Sequence, residues 1–325
     1  MKILLTGGTG YVGSTLIKRL KDHGFTVHCL IRSENKLRNI ENPDELTYTI
    51  GDLTTPETIT NLTQNIDYII HLAVLAPTQK HAYTMEDYRR VNVRGTENLL
   101  KECLKNPVKK IICFSSSAAV GLVNTEIIDE NTPCHPETEY GISKYEADML
   151  IHKYTEEYEL PISTLRFTHI YGPGDMRDFL KIVRLIKKGV LPIIGFGENL
   201  YPAVYKDDAV NAIMLALEKG KAGHLYNISG NDSYDLRVIV KHVKSELGIT
   251  RFPLWLPKYP TLLFLTCLEF LRIPSPIASR NIRSVTAARR FSIEKAQKEL
   301  GYIPDVDISE GIQKTIQYYK REELI

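Results

Sequence analysis

The stretch TGGTGYVG, residues 6–13, limits what this chain can fold into more than any other feature. It follows the short apolar run KILLT and precedes STLIKRLKDHG, whose apolar residues recur at helical spacing until Gly24. Gly7, Gly10 and Gly13 therefore lie between a strand and a helix. The tight turn needs a residue without Cβ, and close approach of a pyrophosphate to the backbone needs another. The helix start supplies N–H donors and a positive dipole. The pattern predicts the first βα turn of a dinucleotide-binding fold, with Gly7, Gly10, Tyr11, Val12 and Gly13 against the cofactor. A triphosphate-binding loop is disfavoured, because no Gly-Lys-Ser/Thr follows.

The rest of the first half keeps this rhythm. TVHCLIR, LTYTIGDL, DYIIHLA, KKIICFSSS and PISTLRF read as strands, separated by helical or loop-like sequence. Two of the helices fall around RVNVRGTENLLKECLK and from about Tyr140 to Tyr158. Alternating strands and helices imply βαβ units, a buried parallel sheet and a doubly wound α/β (Rossmann) fold. After Arg166 the rhythm changes. YGPGD is a turn cluster, FLKIVRLIKKG and DDAVNAIMLALEKG are amphipathic helices, and Asp207 or Asp208 is expected to cap the second. HLYNIS reads as a strand, DLRVIVKHVKSELG as a helix, and FPLWLPKYP as irregular chain. Residues 1–168 are thus expected to form the dinucleotide-binding domain. Residues 169–325 form mainly a smaller substrate-binding lobe over the carboxyl ends of the strands, with some segments returning to the sheet.

Composition narrows the partners. Forty-one Lys and Arg face 39 Asp and Glu, which gives no electrostatic reason to expect nucleic acid. The five cysteines are scattered without a CxxC pair, as suits reduced thiols in a cytoplasmic protein. MKILLTGG is too quickly broken by glycine to read as a secretory signal. The most apolar later segment, residues 261–273, is shorter than the roughly 20 residues of a spanning helix and contains Glu269 and Arg272. It reads as a buried or lid helix, with contact to a membrane surface as the alternative. Histidines are dispersed and no HExxH occurs, so no metal is expected.

The end of the second strand should choose the cofactor. A carboxylate there would hold the ribose 2′-hydroxyl, whereas an arginine accommodates a 2′-phosphate. The sequence HCLIRSENK offers Arg32 and no acid at that point, which predicts NADP(H) over NAD(H). Asp52 and Leu53, in GDL after the third strand, are placed near the adenine; the plain alternative for Asp52 is a cap on the following turn.

The fifth strand ends in three hydroxyls, CFSSSAAVG, and YGISK opens a helix some twenty residues later. With TGGTGYVG, GDL, HLA, NVRGT, LRFTHIYGPGD and SIEKAQKELGYIP, these motifs run in order over nearly the whole chain. The chain resembles the extended short-chain dehydrogenase/reductases, of the NAD-dependent epimerase/dehydratase and 3β-hydroxysteroid dehydrogenase type. The resemblance implies Tyr140 as acid/base, with Lys144 one helical turn along to stabilise phenolate and hold the nicotinamide ribose. It implies Ser117 on the reacting oxygen, with Ser116 as runner-up by one position. It also implies Asn92 as support near the active site, Leu72 and Ala73 lining the cofactor, His71 as structural, and a homodimer built on helices around 86–105 and 140–158.

The chain departs from the sugar-nucleotide members of that family at several places. His169 stands where the pattern R-x-x-N-x-Y-G-P has Asn, and Tyr201 stands where an arginine precedes the YVDD-like segment. Ala118 and Ala119 replace the Asp-Glu pair that dehydratase chemistry favours. A nucleotide diphosphate needs cationic or amide donors. These losses point to an NAD(P)-dependent oxidoreductase acting on a ketone or secondary alcohol of an apolar small molecule, with His169 and Tyr201 beside the substrate. The alternatives are a sugar-nucleotide epimerase or dehydratase, and a non-catalytic NADP-binding module.

Overall fold

The computed structural model describes residues 1–40, 43, 46–78, 81–123, 125–195, 199–231, 233–250, 254–271 and 289–325. The apolar runs of the first half become parallel strands: β1 (Lys2–Thr6), β2 (Thr26–Ile31), β3 (Thr47–Ile50), β4 (Tyr68–His71) and β5 (Lys110–Ser116). After the two-residue β6 (Ile127–Ile128) comes β7 (Ile162–Phe167), and then β8 (His169–Tyr171), β9 (Pro192–Ile194), β10 (Leu200–Tyr205) and β11 (Leu225–Ile228). Seven of these build one sheet in the order β11-β7-β5-β4-β1-β2-β3. Every pairing in it is parallel. Strand β1 lies inside the sheet, and Ile3, Leu4 and Leu5 are fully buried, as expected where helices cover both faces. The order reverses between β2 and β4, on either side of β1. The crevice beyond the carboxyl ends of β1 and β4 is therefore the topological switch point where such sheets take ligands.

Helices α1 (Tyr11–Asp22) and α6 (Lys206–Lys219) and the helix Glu294–Leu300 pack on one face through Leu16, Leu20, Ile213 and Leu300. On the other lie α2 (Met85–Tyr88), α3 (Gly95–Cys103) and α4 (Glu139–Tyr158), packed through Leu99, Leu100, Ile151 and Tyr154. Between α2 and α3, residues Arg89–Arg94 form a π-helical turn, a feature that no local sequence signal announced.

The second lobe has its own core. Phe179, Val183 and Ile186 of α5 (Asp178–Lys188) meet Ile239 and Val243 of α7 (Leu236–Leu247) and Ile312 and Tyr319 of the C-terminal helix Ile308–Arg321. Its small sheet sets β10 between β8 and β12 (Ser233–Asp235). Strand β11 and helix α6 return from the second half to the large sheet and its face.

Several local expectations are corrected. Helix α6 begins at Lys206 without a side-chain cap. Asp208 instead accepts the backbone N–H groups of Asp305 and Val306, at 3.0 and 3.2 Å. Within FPLWLPKYP, Leu254–Leu256 form β13, a strand parallel to β9; residues 252–253 lie outside the described residues. The apolar segment after it forms α8 (Lys258–Phe270), which is not buried: Leu263 is 68% exposed. Residues 272 and 273 of that segment lie outside the described residues. A last short strand, β14 (Arg290–Phe291), pairs with β6.

Candidate active site

The glycine turn closes the carboxyl end of β1. Gly7 has φ +74°, and a Cβ there would lie 2.7 Å from the backbone of Leu72 and Ala73. A Cβ on Gly13 would collide with the Gly7 carbonyl. Gly10 donates to Gly7 O at 3.0 Å and forms the N-cap of α1. That helix opens with neither a side-chain cap nor an acid in its first turn, so its N–H groups could receive an anion. A cradle that excludes Cβ atoms and an uncapped helix start fit a dinucleotide. Val12 packs on the core beneath. The Tyr11 ring lies against Gly172 and Gly174 and under Lys206 Nζ, 5.3 Å from its centroid. Its buried hydroxyl has no hydrogen-bond partner. Burial, with Asp175 nearby, holds that phenol well above its ordinary range.

Arg32 is exposed immediately after β2 and could meet a 2′-phosphate. Asp52 accepts from Thr54 N and Oγ1, both at 2.8 Å, so one of its oxygens caps the following turn. Leu53 is buried in the core beside Gly95. Leu72 is buried, and the Ala73 amide N–H donates to Thr6 Oγ1 at 3.2 Å. His71 is fixed between Thr6 Oγ1 (2.7 Å) and Thr96 Oγ1 (3.0 Å). Burial drops its pKa to about 3, which keeps it neutral and suits a structural part. Asn92, in the π-helical turn, accepts from Leu75 N at 2.7 Å and donates to Leu75 O and Ser143 Oγ, both at 3.0 Å. It ties the loop after β4 to helix α4.

Tyr140 stands in the first turn of α4, whose N-cap Thr138 accepts from Gly141 N at 3.1 Å. Burial holds its pKa above the ordinary phenol value, and Ser116 and the charge of Arg177 offset that rise only in part. Ser116, the runner-up, acts on the phenol in this way, and Ser117 follows it as the other candidate for the reacting oxygen. The β5–β7 pairing runs as far as Ser116, and Ser117 begins a short 3₁₀ turn. Lys144 is buried and donates to Phe114 O at 2.6 Å. Burial depresses its ammonium, and Asp148 opposes that shift. Asp148 itself accepts from Ser115 Oγ at 2.8 Å and from Arg166 at 3.1 Å.

His169 and Tyr201 come together on neighbouring strands, ring centroids 5.1 Å apart. His169 Nε2 is buried without a hydrogen-bond partner and lies 3.9 Å from Asp175. Burial lowers this imidazole, and Asp175 and Asp178 counter it. Burial also drives Tyr201 well above the usual phenol range. Sequence reasoning missed Arg177 and Asp148. Arg177 is exposed at the start of α5, and its charge acts on both Tyr140 and His169. It follows YGPGD, which read only as a turn. Asp148 lies one helical turn beyond Lys144, at a spacing that would have flagged it.

The model of the NAD dependent epimerase/dehydratase family matches residues 3–229. The chain is 28% identical to a UDP-glucose 4-epimerase of Vibrio cholerae, covering 98% of this chain and 95% of that one. It is 25% identical to a dTDP-glucose 4,6-dehydratase of Streptomyces antibioticus, covering 98% and 92%. The crystal structure of a UDP-glucose 4-epimerase with UDP-glucose from Thermotoga maritima superposes with a TM-score of 0.81 at 25% identity, over 99% of this chain and 100% of that one. These likenesses favour the sugar-nucleotide alternative over the ketone reductase that the losses at 169 and 201 suggested. From the glycine cradle to the helix that carries Tyr140 and Lys144, the chain belongs to the NAD dependent epimerase/dehydratase family.

Proposed function

We propose that this enzyme inverts a carbinol carbon of a nucleotide-activated sugar by reversible oxidation. The observation that carries the reading is that Ser116, Tyr140 and Lys144 gather at the carboxyl end of β5, in the same sheet whose β1 ends in the Gly7–Gly13 cradle. Whole-length similarity to enzymes named for UDP-glucose and dTDP-glucose supports it. When bound, a nicotinamide dinucleotide supplies a hydride acceptor and donor. The protein moves the proton: Tyr140 takes it from the carbinol oxygen and later returns it. Ser116 orients that oxygen and stabilises the phenolate. Lys144 keeps positive charge beneath the site, with Asp148 sustaining its protonated form. Gly7, Gly10 and Gly13 with the start of α1 hold the cofactor's pyrophosphate, Leu72 and Ala73 line it, and Asn92 fastens the loop after β4. Arg32 supports a preference for NADP(H). Arg177 supplies a cation for the sugar nucleotide's diphosphate, which answers the lack of arginine at 201. Ala118 and Ala119, where a dehydratase has its acidic pair, favour epimerisation over dehydration.

The neutral His169–Tyr201 pair favours a second reading, reduction of a less charged ketone. One experiment separates the two. The chain is incubated with NAD⁺ or NADP⁺ and a panel of UDP- and dTDP-sugars, with epimers resolved by chromatography, and in parallel with NADPH and apolar ketones. Epimer formation that is lost in Tyr140→Phe, with cofactor binding retained, is the expected result. Arg32→Ala should weaken NADP(H) binding about tenfold and leave NAD(H) unchanged. Ketone reduction with no turnover of any sugar nucleotide would establish the reductase instead.

A further inference from the structure

Helix α8 is apolar on both sides. Its inner row, Leu262, Leu265 and Leu268, packs on Ile194. Its outer row faces solvent: Tyr259, Leu263 and Phe264 are 79%, 68% and 63% exposed. Leu271, just beyond the helix, and Leu254 and Trp255 of the preceding β13 are also large and exposed. Single surface hydrophobes are ordinary, but such a concentration along one short stretch marks an interaction site.

The border of this stretch is basic. Arg237, Lys241 and Lys244 of α7 join Trp255 and Ile249 in lining an open groove of about 420 Å³. Ile249 also lines a second groove, of about 450 Å³, together with Lys187 and Lys320. Among the described residues no Asp or Glu side chain lines either groove, and Arg237 pairs with Asp235 at 2.8 Å beside the first. Apolar and aromatic side chains beside clustered cations are the chemistry of an anionic lipid surface: the rings and leucines enter the headgroup boundary and the cations meet phosphates. Trp and Tyr favour that boundary. Among the described residues no helix is long and apolar enough to cross a membrane, so α8 would lie in the surface rather than span it. A second copy is the poorer partner, because a two-fold contact would bring like-charged borders together.

We infer that the α8 face docks on membranes rich in anionic lipid. The test is flotation of the full-length chain with vesicles of phosphatidylcholine alone, or with about one third phosphatidylglycerol, at low and high salt. Binding should be about tenfold stronger to the anionic vesicles and should fall with salt. The double variants Leu263→Gln/Phe264→Gln and Lys241→Gln/Lys244→Gln should each reduce it about tenfold, with Tm and cofactor binding preserved. Absence of binding to either vesicle overturns the inference. So does equal binding to both that ignores the lysine changes, which is unspecific adhesion. A dimer in ultracentrifugation that Leu263→Gln/Phe264→Gln dissociates assigns the face to a second copy and also overturns it.

Discussion

At the scale of single residues, the proton chemistry turns on which hydroxyl meets Tyr140. Burial raises the phenol's pKa, and Ser116 and Arg177 are the groups that offset part of that rise. Oxidation of a carbinol needs Tyr140 as phenolate, so the rate in that direction rises as pH climbs through its pKa. Removing a donor to the phenolate raises that pKa and moves the rising limb to higher pH. Ser116→Ala should therefore shift the limb upward and lower kcat about tenfold to a hundredfold, whereas Ser117→Ala should leave the limb in place. pH–rate profiles of the two variants decide it, and a shift in Ser117→Ala alone would reverse the assignment. The Tyr140–Lys144 spacing was legible in the sequence because helical periodicity fixes it. The choice between adjacent serines was not, because it depends on where the β5–β7 ladder stops.

At the scale of elements, Asn92 shows how the site is assembled. One carboxamide joins the π-helical turn, the loop after β4 and helix α4 through three hydrogen bonds. Being 2% exposed, its partners cannot turn to water if it is removed. Asn92→Ala should cost about 1–3 kcal/mol, a fall in Tm of several degrees, and should weaken cofactor binding through the loop that carries Leu72 and Ala73. Thermal unfolding and cofactor titration check this; an unchanged Tm would mean that the clamp contributes nothing. Elements with strong internal periodicity, such as β1, α1 and α4, could be read from the sequence. Those set by distant partners could not. Strand β13 exists because Pro192–Ile194 lies beside it, and Asp208 abandons the helix start because Asp305 and Val306 present their N–H groups.

At the scale of the whole molecule, the same helices that present the chemistry leave a surface to be accounted for. Helix α4 turns Gly141, Lys144, Ala147, Ile151 and Tyr154 inward. Its other side carries Met149 and Tyr158, 50% and 48% exposed, and Leu104 beyond α3 is 43% exposed. Arg89 bridges to Glu146 across the outside, with Nε 2.9 Å from Oε2, and joins the π-helical turn to α4. A pair of joined helices with apolar side chains outward suits packing against its own copy about a two-fold, which would make a four-helix bundle. A homodimer resting on this face should dissociate when a charge is placed at its centre. Met149→Glu is therefore expected to convert a dimer to a monomer in sedimentation velocity, with little change in Tm because the side chain is outside the protomer's core. The vesicle-binding face around α8 shares no residue with this surface, so Met149→Glu should leave anionic vesicle binding by each chain intact. A wild-type chain that sediments as a monomer at micromolar concentration would remove the dimer.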